Sequence, residues 1–310
     1  MIELRAAVQQ YLTMRRSLGF KLRDEGTVLP QFVQFMEQEG ASFITADLAL
    51  KWAMQAQSAT PAHWATRLRM VRIFASYHSA TDPRTQIPSP YLLPHRYQRK
   101  QPYIYSDDEV MRLLKAASQL SSPAGLRAST YECLLGLLSV TGMRISEAVA
   151  LDLQDVDMTK GILAIWHSKF GKSRMLPIHL TVQCKLKAYE TLKNTIIPSP
   201  ETTSFFVSEA GKRLTKGIAE YTFAKLSRQV GLRGQLDSHG PRLHDFRHTF
   251  AVKTLLRWYQ SGDHVEQRIP YLATYLGHRH LNDTYWYLSA VPQLMQLVAD
   301  RLHSIPGGLK

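Results

Sequence analysis

The sequence predicts a mainly α-helical chain with one small β hairpin or sheet, in which an N-terminal helical bundle precedes a C-terminal α+β domain. Three observations carry this expectation. Apolar residues recur at helical spacing through residues 2–79 and again beyond residue 106. Between these stretches Pro83, Pro88, Pro90, Pro94 and Pro102 interrupt regular structure. Two short apolar runs, 162–166 and 175–179, flank Phe170-Gly171-Lys172 and read as strands joined by a turn. A chain of 310 residues, 45% of them hydrophobic, has enough apolar material for a large core or for two ordinary ones.

The elements follow in order. Leu4, Val8, Tyr11 and Leu12 line one face of a first helix, and Val28, Phe32, Phe35 and Met36 line a second that ends near Gly40. Thr45 caps a third, which carries Trp52. Thr60 as cap and Pro61 at the first helical position open a fourth, with Trp64, Leu68, Val71 and Phe74 on one side. Arg69 and Arg72, three apart, share another face of that helix. Residues 80–102 read as an extended linker, made basic at its end by Arg96, Arg99 and Lys100. The expected division is therefore a bundle over 1–95, a basic linker over 96–104 and a second domain over 105–310.

The second domain begins at a capping box, Ser106-x-x-Glu109, ahead of Val110, Leu113, Leu114 and Ala117. An apolar helix from Leu126 to Val140 is stopped at Gly142, and Arg144 opens the next. The hairpin tip carries Lys169 and Lys172. Helices follow near 181–194 and 215–231, with Phe205-Phe206-Val207 between them, and another spans 244–258 with His244 at its start. A last helix begins at Pro292 and holds Leu294, Leu297, Val298 and Leu302.

Net charge is +13 and the pI is about 9.7, with both the first hundred residues and the remainder net basic, so the expected partner is a polyanion. Cys133 and Cys184 sit in apolar helical patterns and read as buried thiols in a reducing compartment. No Cys/His cluster has zinc spacing, so no metal is expected. Apolar runs such as 133–138 are far too short to span a bilayer, which predicts a soluble, cytoplasmic protein with no membrane partner.

The chemistry concentrates in Leu243-His244-Asp245-Phe246-Arg247-His248, Leu276-Gly277-His278 and Tyr285-Trp286-Tyr287. Upstream lie Thr141-Gly142-Met143-Arg144-Ile145-Ser146-Glu147 and the basic turn Ser168-Lys169-Phe170-Gly171-Lys172-Ser173-Arg174. Arginine offers a planar, permanently charged fork for phosphate oxygens, histidine exchanges a proton near neutrality, and a placed tyrosine can act as a covalent nucleophile. In order, the groups are Arg144, Lys169, His244-x-x-Arg247, His278 and Tyr287, the last nine residues after His278.

This ordered set, spanning residues 140–287, resembles the tyrosine recombinase (phage integrase, Xer-like) family. The resemblance implies that family's catalytic fold for the second domain and a core-DNA-binding role for the first. It implies a site-specific recombinase that cleaves and rejoins double-stranded DNA through a 3′-phosphotyrosyl intermediate, needing neither metal nor ATP. It further implies a tetrameric active synapse, linked by the C-terminal helix, and location at the nucleoid. Arg144, Arg247 and His278 would hold the phosphate, His244 would take the tyrosyl proton, Lys169 would protonate the leaving hydroxyl, and Tyr287 would attack. Glu147 would orient Arg144. Arg69, Arg72, Arg96, Arg99, Lys100, Lys172 and Arg174 are the expected DNA contacts. Lys172, His280 and Tyr285 rival Lys169, His278 and Tyr287, while His248, turned away from Arg247 by one residue, reads as structural. A non-catalytic DNA binder of the same fold would have no reason to keep the catalytic set complete.

Overall fold

The structure, a computed structural model, describes residues 2–56, 59–93, 101–166, 171–198, 201–237 and 239–304. Lys169, Arg96, Arg99 and Lys100 lie outside the described residues, and for Leu302 only the helical backbone is described. The chain divides into two compact units, Met1–Lys100 and Gln101–Lys310. No helix among the described residues is long and apolar enough to cross a membrane.

The first unit is built from α1 (Ile2–Ser17), α2 (Arg23–Gln38), α3 (Ala46–Met54) and α4 (Pro61–His78). Thr45 caps α3 through its side chain, which accepts from the Leu48 N–H at 3.2 Å. Thr60 precedes α4 without a side-chain cap: the His63 N–H, which such a cap would use, donates with that of Trp64 to the Thr60 carbonyl, and Pro61 fills the first position, where no N–H is needed. Tyr11, Phe32, Trp52, Val71 and Phe74 close a single apolar core. The Arg67 guanidinium stacks 3.9 Å over the Trp52 ring, whereas Arg69 is exposed and Arg72 half-buried on α4.

The second unit opens with Tyr105, whose N–H donates to the Thr249 hydroxyl and whose own hydroxyl donates to the Arg242 carbonyl. The Ser106–Glu109 capping box then starts α5 (Asp107–Ser118). The helix α6 (Leu126–Thr141) stops at Gly142, whose φ of 61° suits the left-handed cap, and a side chain there would collide with Phe250. After the short α7 (Ile145–Ala148), strands β1 (Val156–Asp157), β2 (Ile162–Ile165) and β3 (Arg174–Pro177) form an antiparallel sheet in the order β1-β2-β3, with Ile165 opposite Arg174. β1 is too short to show a periodicity of its own.

Helices α8 (Leu180–Ile196) and α9 (Lys216–Gln229) complete one core, centred on Leu134, Leu138, Leu163, Tyr189, Phe206 and Phe246. A second core joins α10 (Asp245–Gln260), α11 (Val265–Leu276), α12 (Asn282–Ala290) and α13 (Pro292–Ser304) around Val252, Leu255, Leu272, Leu276 and Tyr287. α10 contributes Phe246 to the first core and Val252 to the second, so residues 247 and 248 fall at their seam.

One expectation is corrected here. Cys184 is exposed on α8, and Cys133 is half-buried against the core, its thiol pushed up to about 12 by burial. Within the single chain, α13 lies against α10 and α12 with Leu294 fully buried. A single extended residue, Val291, joins α12 to α13, and it returns the apolar face of α13 to the core that Tyr287 and Val291 already occupy.

Candidate active site

The site is assembled on the C-terminal end of α11. A helix leaves its last carbonyls without intrahelical donors and carries partial negative charge there, so cations gather at it. Four consecutive carbonyls each receive a different cationic side chain. Arg174 Nε donates to Tyr275 at 2.7 Å, Arg247 to Leu276 at 2.6 Å, Arg144 to Gly277 at 3.2 Å and Lys172 Nζ to His278 at 2.9 Å. Gly277 permits this through its φ of 68°, and a Cβ there would stand 3.0 Å from the Arg174 guanidinium.

Arg247 is 2% exposed and also donates to the Gly142 carbonyl at 3.1 Å, so its fork is fixed by the caps of two helices. Burial, then the adjacent Arg144, pushes the guanidinium down to about 9, which leaves it charged at neutral pH. Arg144 sits just before α7, where Glu147 accepts from both its backbone N–H and its guanidinium, at 2.9 and 2.8 Å. Its side chain stays 17% exposed.

Arg174 differs from expectation. It makes a fork-to-fork pair with Glu147 at 2.8 and 3.1 Å, and its side chain is only 8% exposed. β3 aims it inward, where it braces Glu147 and thereby Arg144 rather than lying open to a duplex. Burial works to raise the Glu147 pKa, but the hydrogen bonds and charge of Arg174, joined by those of Arg144, hold the carboxyl down at about 2.

Because that folded value lies below the unfolded one of about 4.5, the ion pair contributes stability above pH 4.5 and loses it as pH falls toward 2. Glu147→Ala strands two guanidiniums and is expected to lower unfolding free energy by about 3–5 kcal/mol. Glu147→Gln is expected to abolish the acid-dependent part. Denaturant unfolding between pH 2 and 6 checks both, and unchanged midpoints would remove Glu147 as the brace.

Tyr287 comes from the middle of α12 and is 2% exposed, while Tyr285 is 39% exposed on another face. His278 Nδ1 shares a 2.7 Å hydrogen bond with the Thr284 hydroxyl, and its ring lies face to face with that of Tyr287 at 6.4 Å. His280 is exposed. The Tyr287 hydroxyl is 2.9 Å from Nδ1 of His248, not of His244. His248 is four residues after His244, so both project from one side of α10, with ring centroids 4.8 Å apart. That spacing is the signal which reveals His248; turning away from Arg247 is what brings it under His244. Protein packed around the His244 ring, then His248 and Arg247, push its pKa down despite solvent on its open edge, so its imidazole is neutral at pH 7.

The arrangement can hold an anion. Arg144, Arg174 and Arg247 surround one carboxylate, which leaves an excess of positive charge beside a buried phenol. Among the described residues no cluster of His, Cys, Asp and Glu is placed to hold a metal ion.

Comparison with known proteins gives the same picture. The model of the phage integrase family matches residues 104–293. An integrase/recombinase of Sinorhizobium fredii, y4rB, is 48% identical over 97% of this chain and 98% of its own length. The XerH site-specific recombinase bound to its palindromic difH substrate superposes with a TM-score of 0.63 at 18% identity, over 83% of this chain and 72% of that one. A lambda integrase tetramer bound to a Holliday junction gives 0.60 at 17% identity, over 92% and 76%.

Proposed function

This chain belongs to the phage integrase family of tyrosine recombinases, enzymes that break and rejoin DNA strands, and we propose that it acts through Tyr287 as nucleophile at an anion site made by Arg144 and Arg247. The observation that carries the proposal is the gathering of four cationic side chains on four successive carbonyls, beside a buried tyrosine. A phosphodiester under attack concentrates negative charge on its non-bridging oxygens, and cations fixed in advance stabilise that charge without reorganising. Arg144 and Arg247 supply it. His278, its Nδ1 engaged by Thr284, offers its other ring nitrogen to a phosphate oxygen.

Attack by the phenol forms a phosphorus–oxygen bond as the bond to the 5′ oxygen breaks. The departing alkoxide takes a proton from a hairpin ammonium, Lys169 or Lys172, and Lys172 stands at the His278 carbonyl. The 3′-phosphotyrosyl bond conserves the energy of the phosphodiester, so a new 5′ hydroxyl can reverse the reaction on another strand. Arg69 and Arg72 present cationic groups on the first unit for the duplex backbone. The lambda integrase neighbour is a tetramer on a Holliday junction; exchange between two duplexes needs four cleavages, and a tetramer of this chain supplies one Tyr287 for each. Work on duplex DNA of this kind supports a location at the nucleoid.

The test is covalent trapping. A duplex containing the recombination site, selected from a random library and nicked next to the cleavage position, loses its short 5′ fragment and traps the adduct. A denaturation-resistant complex with protein on the DNA 3′ end is expected, and its absence on every selected site would overturn the assignment. Binding itself should weaken by orders of magnitude between about 50 and 200 mM salt through counterion release. Equal affinity across that range would exclude phosphate contacts as its source.

A further inference from the structure

We infer that His248 is a catalytic residue of this site: its Nδ1 receives the Tyr287 hydroxyl proton as the oxygen attacks phosphorus. The inference rests on Tyr287 being the nucleophile. Its basis is placement. Nδ1 of His248 is 2.9 Å from the hydroxyl, a hydrogen-bonding distance along which a proton can pass directly.

The ring is held for this from several sides. His244 meets it edge-on at 4.8 Å, Trp286 at 5.8 Å, and the Tyr287 ring itself at 5.6 Å and 63°. Tyr287 is buried in the α10–α12 core, so bulk water does not wash the hydroxyl, and a proton leaving it needs a protein acceptor. A neutral imidazole has one ring nitrogen with a free lone pair, and in the tautomer where this is Nδ1, the phenol donates to it. His244, at the N-terminus of the same helix, backs the acceptor instead of touching the hydroxyl.

The step balances without a further reactant. The phenolic oxygen bonds to phosphorus, its proton moves to His248 to give an imidazolium, and the phosphorus–5′ oxygen bond breaks with its electron pair. A lysine ammonium of the hairpin protonates that oxygen. In rejoining, the imidazolium returns its proton to the departing phenolate, so cleavage and ligation use one pair of groups in opposite directions.

The experiment is single-turnover adduct formation on the nicked duplex by the full chain, comparing wild type with His248→Asn, His248→Gln and His244→Asn. Each is made with tyrosine and with a trifluorotyrosine at position 287, whose more acidic phenol needs less help to ionise. His248→Asn keeps a group of similar reach that can hold the hydroxyl but cannot carry its proton. Its adduct rate is expected to fall by about 10²–10³-fold with duplex affinity unchanged. Trifluorotyrosine should recover at least about tenfold of this loss while altering the wild-type rate far less, a relief that a purely packing role for His248 does not provide. His248→Gln serves if His248→Asn fails to fold, as judged by its unfolding midpoint.

A His248→Asn rate within about threefold of wild type, or a defect that the acidic phenol does not relieve, overturns the inference. So does a larger, phenol-sensitive loss in His244→Asn. A wild-type chain that forms no adduct at all sinks the nucleophile assignment itself, a failure visible before any variant is made.

Discussion

Replacing Tyr287 with Phe is expected to eliminate the covalent protein–DNA adduct while leaving a folded protein that binds its duplex. The substitution removes one oxygen from a ring packed among Val252, Leu255, Leu276 and Leu294, so the core keeps its volume. What is lost inside the protein is the hydrogen bond to His248, a net effect of about 0.5–1.5 kcal/mol. That is small beside the stability of a domain of this size, and the unfolding midpoint should move by a few degrees at most. The chemistry has no substitute: no other phenol described near the two arginines is buried against the same histidine. Tyr285→Phe is the matched control, because Tyr285 lies partly exposed on another face of α12 and its loss should leave the adduct intact. Peptide mapping of the trapped complex decides between them. An adduct on Tyr285, or one that persists in the Tyr287→Phe variant, overturns the assignment.

What the sequence discloses and what it hides follow a physical line. Signals that act within a few residues were readable: the Ser106–Glu109 box, the Thr45 cap and the Gly142 stop all occur where the residue types require them. So was the burial of faces, since helical spacing reports which side is apolar. Periodicity does not say which surface covers a face. The apolar stripe of α13 reads the same whether it docks on its own core or on another molecule, and within the single chain it joins the core around Tyr287 and Val291.

The same limit governs the site. The order Arg144, His244, Arg247, His278 and Tyr287 is legible, yet the device that gathers the cations, the carbonyls of residues 275–278, is backbone and leaves no mark in the residue types except Gly277. Arg174 looked like one more surface cation of a basic turn. Its inward position depends on contacts remote in sequence, with Glu147 27 residues away and with the Tyr275 carbonyl at the end of α11, 101 residues away. His248 is hidden because adjacency to Arg247 says only that it faces elsewhere, whereas its four-residue spacing from His244 is what places it at the site.

Arg144→Ala is expected to reduce adduct formation by more than about 10³-fold, and Arg247→Lys by a comparable amount, with much of the duplex affinity retained. Removing one fixed donor from a transition-state anion site costs about 10²–10³-fold, and each arginine offers a two-pronged, fully charged donor where that figure describes a single neutral one. The two positions call for different substitutions. Arg144 is partly open and its partner Glu147 keeps Arg174, so truncation to Ala leaves the brace charged and satisfied. Arg247 is buried with the Gly142 and Leu276 carbonyls on its fork, and Ala there would orphan both and confuse lost catalysis with lost packing. Lysine keeps the charge and can satisfy one carbonyl, but its single ammonium cannot hold two helix caps and a phosphate at once. Binding survives because affinity is spread over many backbone phosphates, of which the scissile one is a single member. The check is single-turnover cleavage of the nicked duplex beside an affinity titration and an unfolding curve for each variant. If either variant cleaved within about tenfold of wild type, or if cleavage and affinity fell in parallel, the arginines would be anchors for the duplex and not stabilisers of the transition state.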